Sequence, residues 1–212
     1  ALYCGAPGII LFDQVEEGKQ MILQREKVIQ AMDIVKEENV DMWITFGRET
    51  VMNSDPVIAL ISPTEFGSLT AVMITNTNRN ICLTGHLDYN GMVQGGTYDE
   101  VLMYDQSFKD EFFKILSEEK PKQIALNYST DVASDGLTHG LYLRMMELLD
   151  EFGYTGEIIS AEKIIGKLRG RKSPEELVRM TKAADITQMI LKEAKEFIKA
   201  GVTEKEIHAF CQ

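Results

Sequence analysis

The chain is 212 residues long, which is enough for one well-buried domain and part of a second. Its formal net charge of −11 argues against nucleic acid as a partner, because binding to phosphates needs clustered Lys and Arg. No apolar run approaches the ~20 residues of a membrane span, and the first residues lack the basic start of a signal peptide. We therefore expect a cytoplasmic protein without a membrane span, with a cleaved signal peptide as the alternative.

Hydrophobic periodicity predicts alternating helices and strands over most of the chain. In chain order they are a helix at 20–39, a buried strand at 40–46, a hairpin of strands at 69–75 and 81–84, a weak strand at 100–104, a helix at 107–120, a strand at 123–127, a helix at 134–152, an edge strand at 157–159 and a helix at 161–168. Glycines at 91, 95 and 96 indicate loops around the weak strand. The pattern predicts an α/β fold, a three-layer α/β/α domain with a mixed sheet over residues 1–170.

The last part of the chain, residues 171–212, predicts the start of a second domain. Ser173 is a favourable N-cap, Pro174 suits the first helical position, and an apolar face recurs to about residue 200. Gly201 then indicates a helix end, and Thr203 is a second N-cap. Two amphipathic helices without a sheet cannot bury their apolar faces. We interpret them as a linker and the first helices of an incomplete domain, with exposed or chain-covered apolar residues: Leu177, Leu191, Ile198 and Phe210.

Histidines and cysteines are sparse, which limits the chemistry that the sequence can support. Cys4, Cys82 and Cys211 lie far apart, and Cys82 is interpreted as a small buried core residue. His86 is predicted in a loop two residues before Asp88, and a surface histidine is favoured over a metal ligand there. Asn127 begins a glycosylation tripeptide, a motif frequent by chance.

Charged residues that follow the first predicted strand form the strongest candidate site. Arg48 and Glu49 come directly after that strand, and Asp55 lies a few residues further on. The carboxyl ends of strands are where α/β sheets commonly expose functional groups. The alternative is a solvated ion pair that closes the strand, with no role in binding.

Three segments give the chain a resemblance to a known family. The first is the strand beginning Val40-Asp41-Met42-Trp43-Ile44, together with the charged residues just described. The second runs from Ile124 to Ser129 and on to Asp135-Gly136-Leu137. The third joins Leu168-Arg169 to Lys172-Ser173-Pro174-Glu175-Glu176, Ala183-Ala184 and Gly201-Val202-Thr203-Glu204. With these segments the chain resembles the N-terminal domain of the creatinase, prolidase and aminopeptidase P family, the "pita-bread" metallopeptidases.

This resemblance implies a parent enzyme that hydrolyses Xaa-Pro bonds with two divalent metal ions, Mn, Co or Zn. In the family two Asp, one His and two Glu of the C-terminal domain hold the metals, and a bridging water attacks the carbonyl. The resemblance therefore places no catalytic residue and no metal ligand in this chain. Creatinase shares the fold without using metal, so the resemblance alone leaves the parent's chemistry open.

The same resemblance implies a supporting role for the domain. Such domains promote assembly into a homo-oligomer, here expected to be a dimer, and close one side of a partner's active site. The residues implied for binding proline-containing peptides there are Arg48, Glu49 and Asp55, with the guanidinium pairing with a substrate carboxylate. The alternative is an interaction module, a pseudoenzyme domain whose parent has no peptidase activity. A free-standing α/β hydrolase is disfavoured, because the sequence shows no nucleophile motif.

Overall fold

The computed structural model describes the backbone of residues 13–211 and the side chains of residues 23–211. The chain divides into two compact units, residues 1–171 and 172–212. The helices and strands are α1 (Asp13–Glu37), β1 (Met42–Gly47), α2 (Ile58–Ile61), β2 (Thr70–Thr75), β3 (Asn80–Gly85), α3 (His86–Gly95), β4 (Glu100–Tyr104), α4 (Phe108–Glu119), β5 (Gln123–Leu126), α5 (His139–Phe152), β6 (Glu157–Ser160), α6 (Glu162–Gly170), α7 (Pro174–Phe197) and α8 (Glu204–Phe210).

The first unit is built on a six-stranded sheet in the order β4-β3-β2-β1-β5-β6. The predicted hairpin is present as β2 and β3, paired antiparallel with Val72 opposite Cys82. β2 also runs antiparallel to β1, whereas the β3–β4, β1–β5 and β5–β6 pairs are parallel. The sheet is therefore mixed, and β6 lies at its edge, as the sequence predicted.

Two apolar cores, one on each face of the sheet, make the three layers. Strand residues alternate between them: Trp43 packs with α1, α2 and α6, while Met42 and Ile44 pack with α4 and α5. All three side chains are at most 1% exposed. This alternation, with helices covering both faces, confirms the predicted α/β/α fold class.

The stretch after β3 differs from the sequence-based prediction, which placed loops there. Residues 86–95 form helix α3, so His86 begins a helix, with its side chain exposed. A Cβ on Gly95 would lie 2.4 Å from the Pro63 ring, so the glycine allows α3 to pack closely against that segment. Gly96, at φ +59°, ends the helix in a left-handed conformation.

Helix α5 also begins later than predicted, at His139 rather than at residue 134. The backbone N–H groups of Gly136 and Leu137 both donate to the Asn127 carbonyl, at 3.0 and 2.8 Å. These bonds hold the preceding segment against the end of β5, and the N-cap is Thr138 instead of Ser134.

The second unit contains the two helices that the sequence predicted, each with a reciprocal N-terminal cap. The Ser173 hydroxyl accepts from the Glu176 N–H at 3.2 Å, and the Glu176 carboxylate accepts from the Ser173 N–H at 2.7 Å. Thr203 and Glu206 repeat this arrangement on α8. Gly201 has φ +98° between the helices, and the apolar residues expected to be exposed are so: Leu177, Leu191, Ile198 and Phe210.

Candidate functional site

The candidate residues lie at one edge of the sheet, where the parallel strands β1 and β5 end side by side. Ile44 of β1 is paired with Leu126 of β5, so the loops that follow the two strands are neighbours. Residues 48–57 follow β1 and residues 127–138 follow β5. In open α/β sheets, this carboxyl edge between neighbouring strands is the common location of a ligand site.

Arg48 and Glu49 lie on an exposed turn directly after β1. Glu49 has φ +51°, and its carbonyl accepts the N–H groups of Met52 and Asn53 at 3.0 and 3.3 Å. Burial raises the pKa of Tyr104, at the end of β4. The positive charge of Arg48 acts in the opposite direction and lowers this pKa by a smaller amount. Both predicted charges are therefore available to a ligand at the surface.

Thr50 anchors the far side of this turn in the protein interior. Its N–H donates to the Phe66 carbonyl at 2.9 Å, and its hydroxyl accepts from the Phe66 N–H at 2.8 Å. The same hydroxyl donates to the Glu65 carboxylate at 2.5 Å. With Thr50 only 1% exposed, the turn is held firmly while Val51 and Met52 project into solvent at 82% and 81% exposure.

Asp55 does not join Arg48 and Glu49 at the surface, because its carboxylate turns inward and is only 4% exposed. One oxygen accepts from the Val57 N–H at 2.9 Å, and the other accepts from the Asn127 amide at 2.7 Å. Burial raises the pKa of the Asp55 carboxyl, and the nearby Asp135 charge acts in the same direction.

Asn127 is the centre of the buried polar network, a role that the sequence analysis did not assign to it. Its amide group donates to Thr45 at 3.1 Å as well as to Asp55, and its oxygen accepts from the Trp43 indole at 2.6 Å. Its side chain is therefore enclosed, at 1% exposure, which leaves no room for a glycan in the folded chain. A polar amide directly after a buried strand is the sequence signal that could have identified this role.

Two shallow cavities open beside this network, in the loop after β5. One, of about 280 Å³, lies between the two loops and is lined by Asn53, Ser54, Asp135, Gly136, Leu137, Thr138 and His139. The other, of about 380 Å³, is lined by Tyr128, Asp135, Leu137, His139 and Tyr142. The carboxyl edge thus combines an exposed cation and anion, shallow polar cavities and a rigid buried support.

Asp88, the acidic residue two positions after His86, has a structural role. Its carboxylate accepts from the N–H groups of Gly67 and Ser68 at 3.1 and 2.6 Å, which fixes the segment entering β2. Among residues 23–211, no group of three or more His, Cys, Asp or Glu side chains is arranged to hold a metal ion. Within the helices that the structure describes, none is long and apolar enough to cross a membrane.

Comparison with known proteins gives structural relatives only. No protein-family model matches the chain, and no curated protein matches it. The Xaa-Pro dipeptidase from Bacillus anthracis superposes with a TM-score of 0.55 and 19% identity, covering 90% of this chain and 47% of that one. A dipeptidase from Mycobacterium ulcerans superposes with a TM-score of 0.54 and 12% identity, covering 90% of this chain and 48% of that one. The X-Pro aminopeptidase from Thermotoga maritima superposes with a TM-score of 0.51 and 20% identity, covering 87% of this chain and 47% of that one.

At these identities the comparisons show a shared fold. The chain spans about half the length of the solved structures it matches. The matches nevertheless include 87–90% of this chain. The fold-level resemblance predicted from the sequence is thus confirmed.

Proposed function

We propose that this chain is the N-terminal domain, with the first helices of the next domain, of a metal-dependent Xaa-Pro aminopeptidase or dipeptidase. Its proposed role is assembly and active-site shaping in a homo-oligomer, without catalysis of its own. The observation that carries this proposal is the match of 90% of the chain to 47% of an Xaa-Pro dipeptidase structure. A match to about half of an enzyme is compatible with a supporting domain.

Metal chemistry belongs to another part of the proposed parent. The residues described here do not fit a two-metal centre, because they contain no suitable group of three His, Cys, Asp or Glu side chains. We therefore derive no metal-dependent step for this chain. The two divalent ions, Mn, Co or Zn, would be held by the remainder of the parent and would activate water there.

Within this proposal the exposed turn after β1 contacts the substrate. The Arg48 guanidinium can pair with a carboxylate of a proline-containing peptide through two parallel hydrogen bonds. Glu49, on the same turn, can accept from an ammonium group. Asp55 is too deeply buried for contact, at 4% exposure, and instead positions the turn through Asn127 and the Val57 N–H.

Hydrolysis of an Xaa-Pro dipeptide by the full-length protein, with Mn²⁺ present, tests the proposal. Arg48→Ala should raise KM roughly tenfold or more, since it removes a charge-assisted pair. Arg144→Ala is the matched control, because Arg144 is an exposed arginine on α5 that pairs with Glu147. Unchanged KM and kcat in Arg48→Ala would remove the substrate contact from the proposal. Xaa-Pro hydrolysis by this chain alone would overturn its supporting role.

One observation favours the second candidate, an interaction module whose parent has no peptidase activity. Apolar side chains stand well exposed at the carboxyl edge of the sheet: Val51 at 82%, Met52 at 81%, Leu87 at 76% and Val132 at 83%. Such an apolar edge suits a protein contact. The reading frame after residue 212 separates the candidates: two Asp, one His and two Glu at family spacing support the enzyme, and their absence supports the module.

A further inference from the structure

The last residues of the first unit are held against α1 by side chains far away in sequence. Helix α6 ends at Gly170, and Arg171 caps it, with its N–H donating to the Lys167 carbonyl at 2.8 Å. Arg171 is also the last residue of the unit. The contacts made by Arg171 therefore lie at the boundary of the first unit.

Lys27 of α1 makes the inner layer of these contacts. Its ammonium donates to the Leu168 carbonyl at 2.5 Å, to the Arg171 carbonyl at 2.9 Å and to the Gln30 side-chain oxygen at 2.7 Å. The side chain is 0% exposed. A cation at the C-terminus of a helix stabilises carbonyls that lack helical partners, and breaking such a contact in the interior is costly.

Glu37 makes the outer layer. Its two carboxylate oxygens accept from the two terminal nitrogens of Arg171 at 2.9 and 2.7 Å, which is a bidentate pair. Lys167 joins the same group, at 3.5 Å from Glu37 and in direct contact with Glu38. The Arg171 and Glu37 side chains are 40% and 42% exposed, so this layer faces solvent.

We propose that these two layers form an exit clamp, made by Lys27 and Glu37 on Arg171, which fixes the end of the first unit at that residue. The clamp holds the backbone and the side chain of the same residue. The next cap begins at Ser173, so Lys172 is the one residue between the clamp and the capping box of α7. Local opening of the chain is thus confined to residues that follow Arg171.

The layers should respond differently to salt. A solvent-exposed ion pair is screened as the Debye length falls from about 10 Å at 0.1 M to about 3 Å at 1 M. The contacts of Lys27 with backbone carbonyls are buried, and salt screens buried contacts much less than exposed ones. Salt should loosen the outer layer while the inner layer persists.

Hydrogen exchange of the Arg171 amide, measured by NMR on the whole chain, tests the clamp. Glu37→Gln should lower its protection factor roughly two- to five-fold, the size expected for an exposed ion pair. Raising salt from about 0.1 M to about 1 M should lower the protection factor of the Arg171 amide by a similar amount in the unmodified chain. The same change in salt should have little effect on it in Glu37→Gln. Lys27→Met should lower it at least about tenfold, because buried carbonyls lose their donor.

The controls are an amide and a variant elsewhere in the first unit. The Tyr142 amide, bonded to the Thr138 carbonyl, should keep its protection in every variant. Glu147→Gln breaks a more exposed ion pair on α5 and should leave the protection of Arg171 unchanged. Wild-type protection of Arg171 in Lys27→Met, with Tyr142 intact, would overturn the clamp. If Lys27→Met does not fold, the Glu37→Gln and salt arms decide: absence of both effects rejects the proposal.

Discussion

The indole N–H of Trp43 donates to the side-chain oxygen of Asn127, with 2.6 Å between the two heavy atoms. Trp43 lies in β1 and Asn127 directly follows β5, so this bond joins neighbouring strands through their side chains. Both residues are 1% exposed. Because the chain has one tryptophan, its fluorescence reports on the buried network beneath the candidate site.

Removing the Asn127 side chain should destabilise the first unit. Asn127→Ala leaves the Trp43 N–H and an Asp55 oxygen without their buried partner. We expect the free energy of unfolding to fall by about 2–4 kcal/mol, because each unsatisfied buried group costs roughly 1–3 kcal/mol. Urea denaturation followed by Trp43 fluorescence measures this. Asn53→Ala, at an exposed position in the adjacent loop, should change stability by less than about 0.5 kcal/mol; equal losses would contradict the network.

Asp55 should make stability fall as pH rises through its titration range. Burial raises the folded-state pKa of Asp55 above its ordinary value of 3.8, so the folded chain binds more protons than the unfolded chain between the two pKa values. The free energy of unfolding should therefore decrease from pH 3.8 up to the raised pKa and then level off.

The measurement is a comparison across pH, since other carboxyl groups titrate with the opposite sign. Ion pairing lowers the pKa of Glu100, for example, mainly through its hydrogen bond to Arg79. The difference in unfolding free energy between the unmodified chain and Asp55→Asn isolates the Asp55 contribution. A difference that is constant from pH 3 to pH 7, within roughly 0.3 kcal/mol, would show that the Asp55 pKa is not raised.

Gly136 should tolerate no side chain, because Asp55 occupies the space. A Cβ at Gly136 would lie 2.1 Å from the Asp55 carboxyl carbon. Gly136→Ala should lower the free energy of unfolding by about 1–3 kcal/mol through overpacking. Thermal unfolding measures the change. Gly140→Ala is the matched control: a Cβ there meets nothing within 4 Å in the first turn of α5, so no loss is expected.

The Asp55 side chain itself provides a check on this explanation. In an Asp55→Ala background, most of the cost of Gly136→Ala should disappear, because the two positions share one space. An undiminished cost in the double variant would place the clash elsewhere.

Cys82 should react with thiol reagents only after unfolding. It is 0% exposed in β3, and burial raises the pKa of its thiol well above the usual range, so little thiolate forms. Cys211 is exposed. In a Cys4→Ser variant, one thiol should react rapidly with Ellman's reagent and the second only in denaturant. Rapid reaction of both thiols without denaturant would contradict the buried position of Cys82.

Several parts of the fold could be predicted because they depend on local sequence. The hairpin at 69–84 follows from two β-rich runs around a polar turn. The caps at Ser173 and Thr203 need partners three residues away, so the sequence contains the whole arrangement. The apolar run at 40–46 likewise predicts a buried strand, and Trp43 within it is 1% exposed.

Other parts depend on partners distant in sequence. The glycines at 91, 95 and 96 predict loops, yet residues 86–95 form α3, and Gly95 allows this helix to pack closely against Pro63. The start of α5 is shifted because the Asn127 carbonyl holds the N–H groups of Gly136 and Leu137. Lys27 is buried because it donates to the carbonyls of Leu168 and Arg171, which lie 141 and 144 residues away along the chain.

The candidate site likewise contains features that depend on local sequence and features that depend on residues distant in sequence. The position of Arg48, Glu49 and Asp55 after a buried strand can be predicted from the sequence, since strand periodicity and charge are local properties. Their exposure depends on long-range packing: Arg48 and Glu49 face solvent, whereas Asp55 turns inward. A carboxylate can be buried only where hydrogen-bond donors are present. The side-chain donor to Asp55 is Asn127, which is 72 residues away along the chain, so the sequence near Asp55 does not reveal it.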